Sequence, residues 1–383
     1  MAKLPKKLEL KLEKRRQDNA LRVLPQPQSL IDFSSNDYLG LAQKQDLAND
    51  VSKLLKENEL NPNGSSGSRL LTGNHVMYKE LEDFLAKYHN SEAALVFNSG
   101  YDANIGFFSS VPQRGDIVFY DELVHASIRD GIKIGNARSY KFTHNDMEKL
   151  SKVIERSRND LDEDAEIYIV TESVFSMDGD TPDLKALAQF CSENNYHLIV
   201  DEAHALGVFG EGKGLISQLG LEKEIFARII TFGKALGSHG AAVLCSNALK
   251  RYLVNFARSL IYTTALSPHT IASVLVAYSY MMKNGGIQRK KLRFNIDYFK
   301  ERIRTLEIQD NFINSDSAIH CLILSGNKKV KQLSEQLQEA GFDVKPILSP
   351  TVKEGEERLR FCLHSYNTKE EIANLLQIVK TYI

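Results

Sequence analysis

Between residues 92 and 245, short apolar and β-branched runs recur at regular distances: AALVF, DIVFY, EIYIVTE, YHLIVD, RIITF and AAVLC. Turns and helical stretches such as DLKALAQFCSENN separate them. Runs this short and apolar suit strands buried on both faces, and their alternation with helical segments predicts an α/β fold with a mostly parallel central sheet covered by helices. In such sheets ligands gather beyond the carboxyl ends of the strands. The residues that follow each run are therefore the first place to look for chemistry, and they are unusually polar.

The rest of the chain supports this frame. Residues 4–22 carry Leu4, Leu8, Leu12 and Leu21 among charges, the spacing of a helix with a narrow apolar stripe. PQPQSLIDFSSNDYLGL reads as a proline-punctuated connector, and NPNGSSGSRLLTGN at 61–74 has too many breakers to be a regular element. Residues 246–310 read as long helices, followed by a strand (HCLILS), a helix (VKQLSEQLQEAG), strand-like segments (FDVKPIL and LRFCLHS) and a last helix. Thr368 followed by Glu371 fits a capping box for that helix. The expected organisation is an N-terminal helix and connector over 1–45, a large α/β domain over 46–285 and a small C-terminal α+β domain over 286–383.

Composition narrows the function. The 383 residues are 43% hydrophobic and 25% charged, the average of globular proteins. With 48 Lys and Arg against 49 Asp and Glu, the chain lacks the basic excess that nucleic-acid binding requires. Cys191, Cys245, Cys321 and Cys362 lie far apart and form no CxxC pair, which predicts buried free thiols. No run is long enough to span a bilayer, and the N-terminal stretch has neither a signal-peptide core nor the acid-poor character of a transit peptide. A cytoplasmic protein is expected.

The strand ends carry the chemistry. YHLIVD ends in Asp201, with His204 three residues on, and RIITF is followed by Gly233 and Lys234. AALVF leads through Asn98 and Ser99 to Gly100 and Tyr101 at the start of a helix, where backbone N–H groups and the helix dipole favour an anion. His125 comes shortly after DIVFY, and Glu172, Ser176 and Asp178 lie at or after the end of EIYIVTE. Each alone has an ordinary structural explanation; together they offer an anion cradle, hydroxyls, an imidazole, a carboxylate and a lysine. Pyridoxal phosphate needs that inventory: a lysine for its aldehyde, a carboxylate for its ring nitrogen and a helix N-terminus for its phosphate. Zinc fits poorly without HExxH or paired-cysteine spacing, and TFGKALGSHG lacks the P-loop arrangement. GEGKG at 210–214 reads as a surface turn.

VTESVFSMDGD, VDEAHALGVFGEGKG, TFGKALGSHGAAVL and PTVKEGEERLR resemble the α-oxoamine synthases, pyridoxal-phosphate enzymes of the aspartate-aminotransferase fold (fold type I), along nearly the whole chain. LEKRRQDNALR, FSSNDYLGL and FARSLIYTT are most similar to the branch that condenses L-alanine with a pimeloyl thioester, carried on coenzyme A or acyl-carrier protein. A glycine C-acetyltransferase in the same family, or an aminotransferase or lyase on the same fold, is the alternative. The resemblance implies a homodimer with shared active sites, in which the GSSGSRLL loop reaches the partner's site.

It also implies roles. Lys234 carries the cofactor as a Schiff base, Asp201 pairs with the pyridine nitrogen, and His125 stacks on the ring. Ser176 and His204 bond around the ring oxygen. Phosphate contacts fall on Gly100, Tyr101 and Thr231, with Thr263 or Thr264 contributed by the other subunit. Arg360 takes the amino-acid carboxylate, while Thr351 and Arg22 contact substrate. No metal is implied.

Overall fold

The computed structural model describes residues 3–24, 26, 29–60, 62–157 and 164–383. Pro25, Pro27 and Gln28 of the expected connector and Asn61 of the Gly/Ser/Asn loop lie outside the described residues. Two compact units are present, one of residues 36–176 and 181–290, the other of residues 1–35, 177–180 and 291–383.

The larger unit is built on a seven-stranded sheet. Its strands are β1 (Ala93–Phe97), β2 (Ile117–Asp121), β3 (Arg138–Phe142), β4 (Ile167–Glu172), β5 (His197–Asp201), β6 (Ala227–Thr231) and β7 (Ala241–Cys245). Their order is β1-β7-β6-β5-β4-β2-β3. β7 runs antiparallel to both neighbours, and every other pairing is parallel. Every residue of β1, β4 and β7 is buried, as expected of strands covered on both faces. The helix Gly100–Ser110 packs Ala103, Phe107 and Phe108 into the same core as Leu95, Val118, Ile128 and Val243. β3 is the strand that periodicity did not disclose. Its sequence, RSYKF, is mostly exposed and lies at the sheet edge, where charge discourages pairing with another chain.

The smaller unit holds a three-stranded antiparallel sheet of β8 (Ile319–Ile323), β9 (Lys345–Ile347) and β10 (Arg358–Cys362), ordered β9-β10-β8. Helices Asn327–Glu339 and Lys369–Tyr382 accompany it. The capping box at the second is complete: Thr368 Oγ1 accepts from Glu371 N, and the Glu371 carboxylate accepts from Thr368 N. Arg358 and Asp178 form a buried ion pair. The N-terminal helix spans Lys6–Gln17, shorter than the spacing of leucines predicts, and buries none of its residues. Leu4, Leu8, Leu10 and Leu12 all remain exposed.

The stretch expected to be helical after residue 246 contains Asn247–Phe256, Arg258–Ile261 and Pro268–Thr305. All four cysteines are free and buried, and burial pushes the thiols of Cys191, Cys245 and Cys321 up to about 12. The GEGKG segment begins with a 3₁₀ turn over Gly210–Gly212. Glu211 is exposed there but Gly212 and Gly214 are buried, so the surface turn is half inside. A Cβ on Gly214 would lie 2.6 Å from a Glu202 carboxylate oxygen. No helix among the described residues is long and apolar enough to cross a membrane.

Candidate active site

Four neighbouring elements of the larger unit deliver polar side chains to one end of the sheet. Asp201 and Glu172 are the last residues of β5 and β4 and stand opposite each other in the parallel register. Thr231 closes β6, with Lys234 three residues further on. His125 caps the helix Ala126–Ile134, its Nδ1 accepting from Ser127 N at 3.3 Å.

Two residues the sequence singled out meet here: Lys234 Nζ lies 2.6 Å from His204 Nε2. Asp201 is held at both oxygens, Oδ1 accepting from Ala203 N at 2.9 Å and Oδ2 from Asn104 Nδ2 at 2.9 Å. Each carboxylate oxygen has two lone pairs, so Asp201 keeps capacity for a further strong donor. The other amide proton of Asn104 goes to Ser127 Oγ at 3.0 Å, and that oxygen lies 2.7 Å from His125 Nδ1. A chain of hydrogen bonds thus links His125 to Asp201 through two residues that no motif marked. Both are polar residues at buried helix positions, Asn104 being 2% exposed and Ser127 fully buried. Asn104 Oδ1 is buried and lacks a hydrogen-bond partner among the described residues.

Electrostatics separate the titrating groups. Burial lowers the His125 pKa; the Asp201 carboxylate opposes that shift and the Lys234 ammonium adds to it. Glu172 is pushed up to about 8, first by burial and then by the neighbouring Asp201, against the pull of Lys234. Its Oε1 accepts the His125 backbone N–H at 2.6 Å. Burial and Asp201 thus favour the protonated form of Glu172.

The helix Gly100–Ser110 offers an N-terminus, where the dipole and first-turn N–H groups would favour an anion. Ser99 caps it by accepting from Asp102 N at 3.0 Å, and Ala103 N makes the first backbone bond, to Ser99 O. The N–H groups of Gly100 and Tyr101 precede that bond and are the end's spare donors. Thr231 is beside them: a Cβ built on Gly100 would meet its Oγ1 at 3.7 Å. Asn98, two residues upstream, donates to Thr263 Oγ1 at 3.1 Å and to the Thr264 carbonyl at 2.7 Å within the same chain. Ser176 is buried in the same unit. An amine, a carboxylate with spare acceptor capacity, an imidazole and a helix N-terminus with a hydroxyl form a donor set suited to a phosphorylated, cationic-ring aldehyde.

The remaining candidates belong to the smaller unit. Arg22 Nη2 donates to Thr351 Oγ1 at 3.0 Å, bringing together two residues that the resemblance assigns to substrate. Arg360 lies on β10, buried, with Nη1 2.9 Å from Cys362 Sγ.

Comparison with known proteins gives the family. A sequence model for the family described as aminotransferase class I and II matches residues 28–379. The 8-amino-7-oxononanoate synthase of Emericella nidulans is 41% identical, the match covering 97% of this chain and 94% of that protein. The crystal structure of 8-amino-7-oxononanoate synthase from Francisella tularensis is 31% identical with a TM-score of 0.76, covering 92% of this chain and 97% of that one. A serine palmitoyltransferase from S. paucimobilis with bound PLP reaches a TM-score of 0.87 at 25% identity, over 98% and 96% of the two chains. Matched along almost its full length by both comparisons, the chain belongs to the aminotransferase class I and II family and, within it, to the 8-amino-7-oxononanoate synthases.

Proposed function

We propose that this protein joins L-alanine to a pimeloyl thioester with loss of carbon dioxide, giving 8-amino-7-oxononanoate and the free thiol of coenzyme A or an acyl-carrier protein, a step of biotin biosynthesis. The observation that carries the proposal is 41% identity over 97% of the chain to a synthase of that name. The cofactor is pyridoxal phosphate, the group bound in the related serine palmitoyltransferase. When bound, it supplies an electron sink for the negative charge left at the alanine Cα.

The residues of this chain then divide the work. Lys234 would hold the cofactor's aldehyde carbon and Asp201 its ring nitrogen, with Gly100, Tyr101 and Thr231 around its phosphate. His125 would cover the ring face, and Ser176 and His204 its ring oxygen. The Asp201 carboxylate keeps a proton on that nitrogen. Arg360 pairs with the alanine carboxylate, which orients the Cα–H bond. Arg22 and Thr351 contact substrate. The amine of Lys234, once free, moves the Cα proton as general base.

The working form is a homodimer, with Thr263 or Thr264 of one subunit serving the phosphate end of the other. Exposed Leu71 and Tyr262, 80% and 72% accessible, support burial of these segments by a second subunit.

Purified protein with pyridoxal phosphate, L-alanine and pimeloyl-coenzyme A should yield 8-amino-7-oxononanoate by mass spectrometry. Glycine with acetyl-coenzyme A should yield nothing comparable. Lys234→Ala should lower turnover by at least about 10³-fold. Near-normal turnover in that variant, or product from glycine and acetyl-coenzyme A alone, overturns the proposal.

A further inference from the structure

The segment FSSNDYLGL has no role in the site described above, yet it reaches the lysine. Tyr38 is fully buried. Its hydroxyl lies 3.1 Å from Asn36 Oδ1 and 2.7 Å from His204 Nδ1. An amide oxygen only accepts, so the single hydroxyl proton of Tyr38 is given to Asn36. Towards His204 the Tyr38 oxygen can then only accept, and Nδ1 must carry the imidazole proton. A neutral imidazole protonated at Nδ1 presents a lone pair at Nε2. That is the atom 2.6 Å from Lys234 Nζ. The loop holding Tyr38 is itself fixed, because the Asp37 carboxylate accepts from Leu41 N at 2.9 Å and Ala42 N at 3.1 Å.

We infer that Tyr38, oriented by Asn36, is a positioning residue that fixes His204 in its Nδ1–H tautomer, so that His204 Nε2 accepts a hydrogen from Lys234. The opposite tautomer would set an Nε2–H against the lysine's own hydrogens, two donors facing each other at 2.6 Å. Two residues remote from the lysine in sequence therefore set which form of the imidazole faces it. The inference rests on the proposed role of Lys234 for its functional meaning, but its structural content does not.

The test uses the full-length chain labelled with ¹⁵N-histidine, before cofactor is added, with the His204 signals assigned by comparison with His204→Asn. In the wild-type chain Nδ1 should be protonated and Nε2 unprotonated. Tyr38→Phe keeps the ring but removes the acceptor, and should shift the balance towards the Nε2–H form by about fivefold, the worth of one net hydrogen bond. Asn36→Ala should shift it the same way, because Tyr38 is then released to donate its proton to Nδ1. A wild-type His204 that is Nε2-protonated or doubly protonated at neutral pH overturns the inference without recourse to any variant. So does a tautomer unchanged in folded Tyr38→Phe. If Lys234→Ala retained turnover while the tautomer behaved as stated, the proposed reaction would fall and the relay would stand.

Discussion

Glu172 shows how one residue's surroundings reverse what its type suggests. In the unfolded chain it ionises near its ordinary 4.5, whereas in the fold burial and Asp201 push it up to about 8. Between those values the folded protein keeps a proton that the unfolded chain has released. Its contribution to stability is therefore complete below 4.5 and is lost as pH rises through about 8. The unfolding free energy of the wild-type chain, from chemical denaturation, should fall across this window, and that of Glu172→Gln should fall less, by on the order of a few kcal/mol. Identical pH profiles for the two would refute a protonated Glu172. Lys234, Asp201 and His125 were visible in the sequence because polar side chains directly after apolar strands stand out. Asn104 and Tyr38 were not, since their partners Asp201 and His204 lie 97 and 166 positions away.

At the scale of elements, the turn after β6 carries Lys234 and depends on a glycine. Gly237 has φ +58°, and a Cβ there would lie 2.2 Å from the backbone nitrogen of Ala42. A left-handed conformation and a clash with main chain, which cannot rotate away, act together. Gly237→Ala should cost at least about 2 kcal/mol, read by chemical denaturation. The same change should displace the 37–42 loop and weaken cofactor retention; a variant as stable as wild type would show that the loop yields freely. The central strands were legible as short apolar runs because both their faces are covered. The edge strand β3 escaped because water replaces one neighbour, and its alternating polar residues resemble a loop. The capping box of the last helix was readable from Thr368 and Glu371 alone, since both of its hydrogen bonds are local. The length of the N-terminal helix was not, because its leucines meet no core of their own chain.

For the whole molecule, the proposed homodimer makes a direct prediction. Light scattering should give a particle of about twice 43.2 kDa, and Leu71→Asp should shift it towards the single chain with loss of turnover, because a charge would replace an apolar side chain in the interface. A monomeric wild-type protein with full activity would remove the shared-site proposal. The sequence by itself determined the α/β class, the position of most strands and the family, because apolar periodicity and strand-end motifs are local properties of the chain. It also favoured free cysteines, since the four lie in apolar runs with no CxxC pair, and the fold keeps each one free and buried. Only the tertiary structure decided which polar groups meet. Burial and proximity raised the pKa of Glu172, tied His125 to Asp201 through Ser127 and Asn104, and set Tyr38 against His204. Those outcomes depend on electrostatic and hydrogen-bond interactions across long sequence separations, which no local pattern encodes.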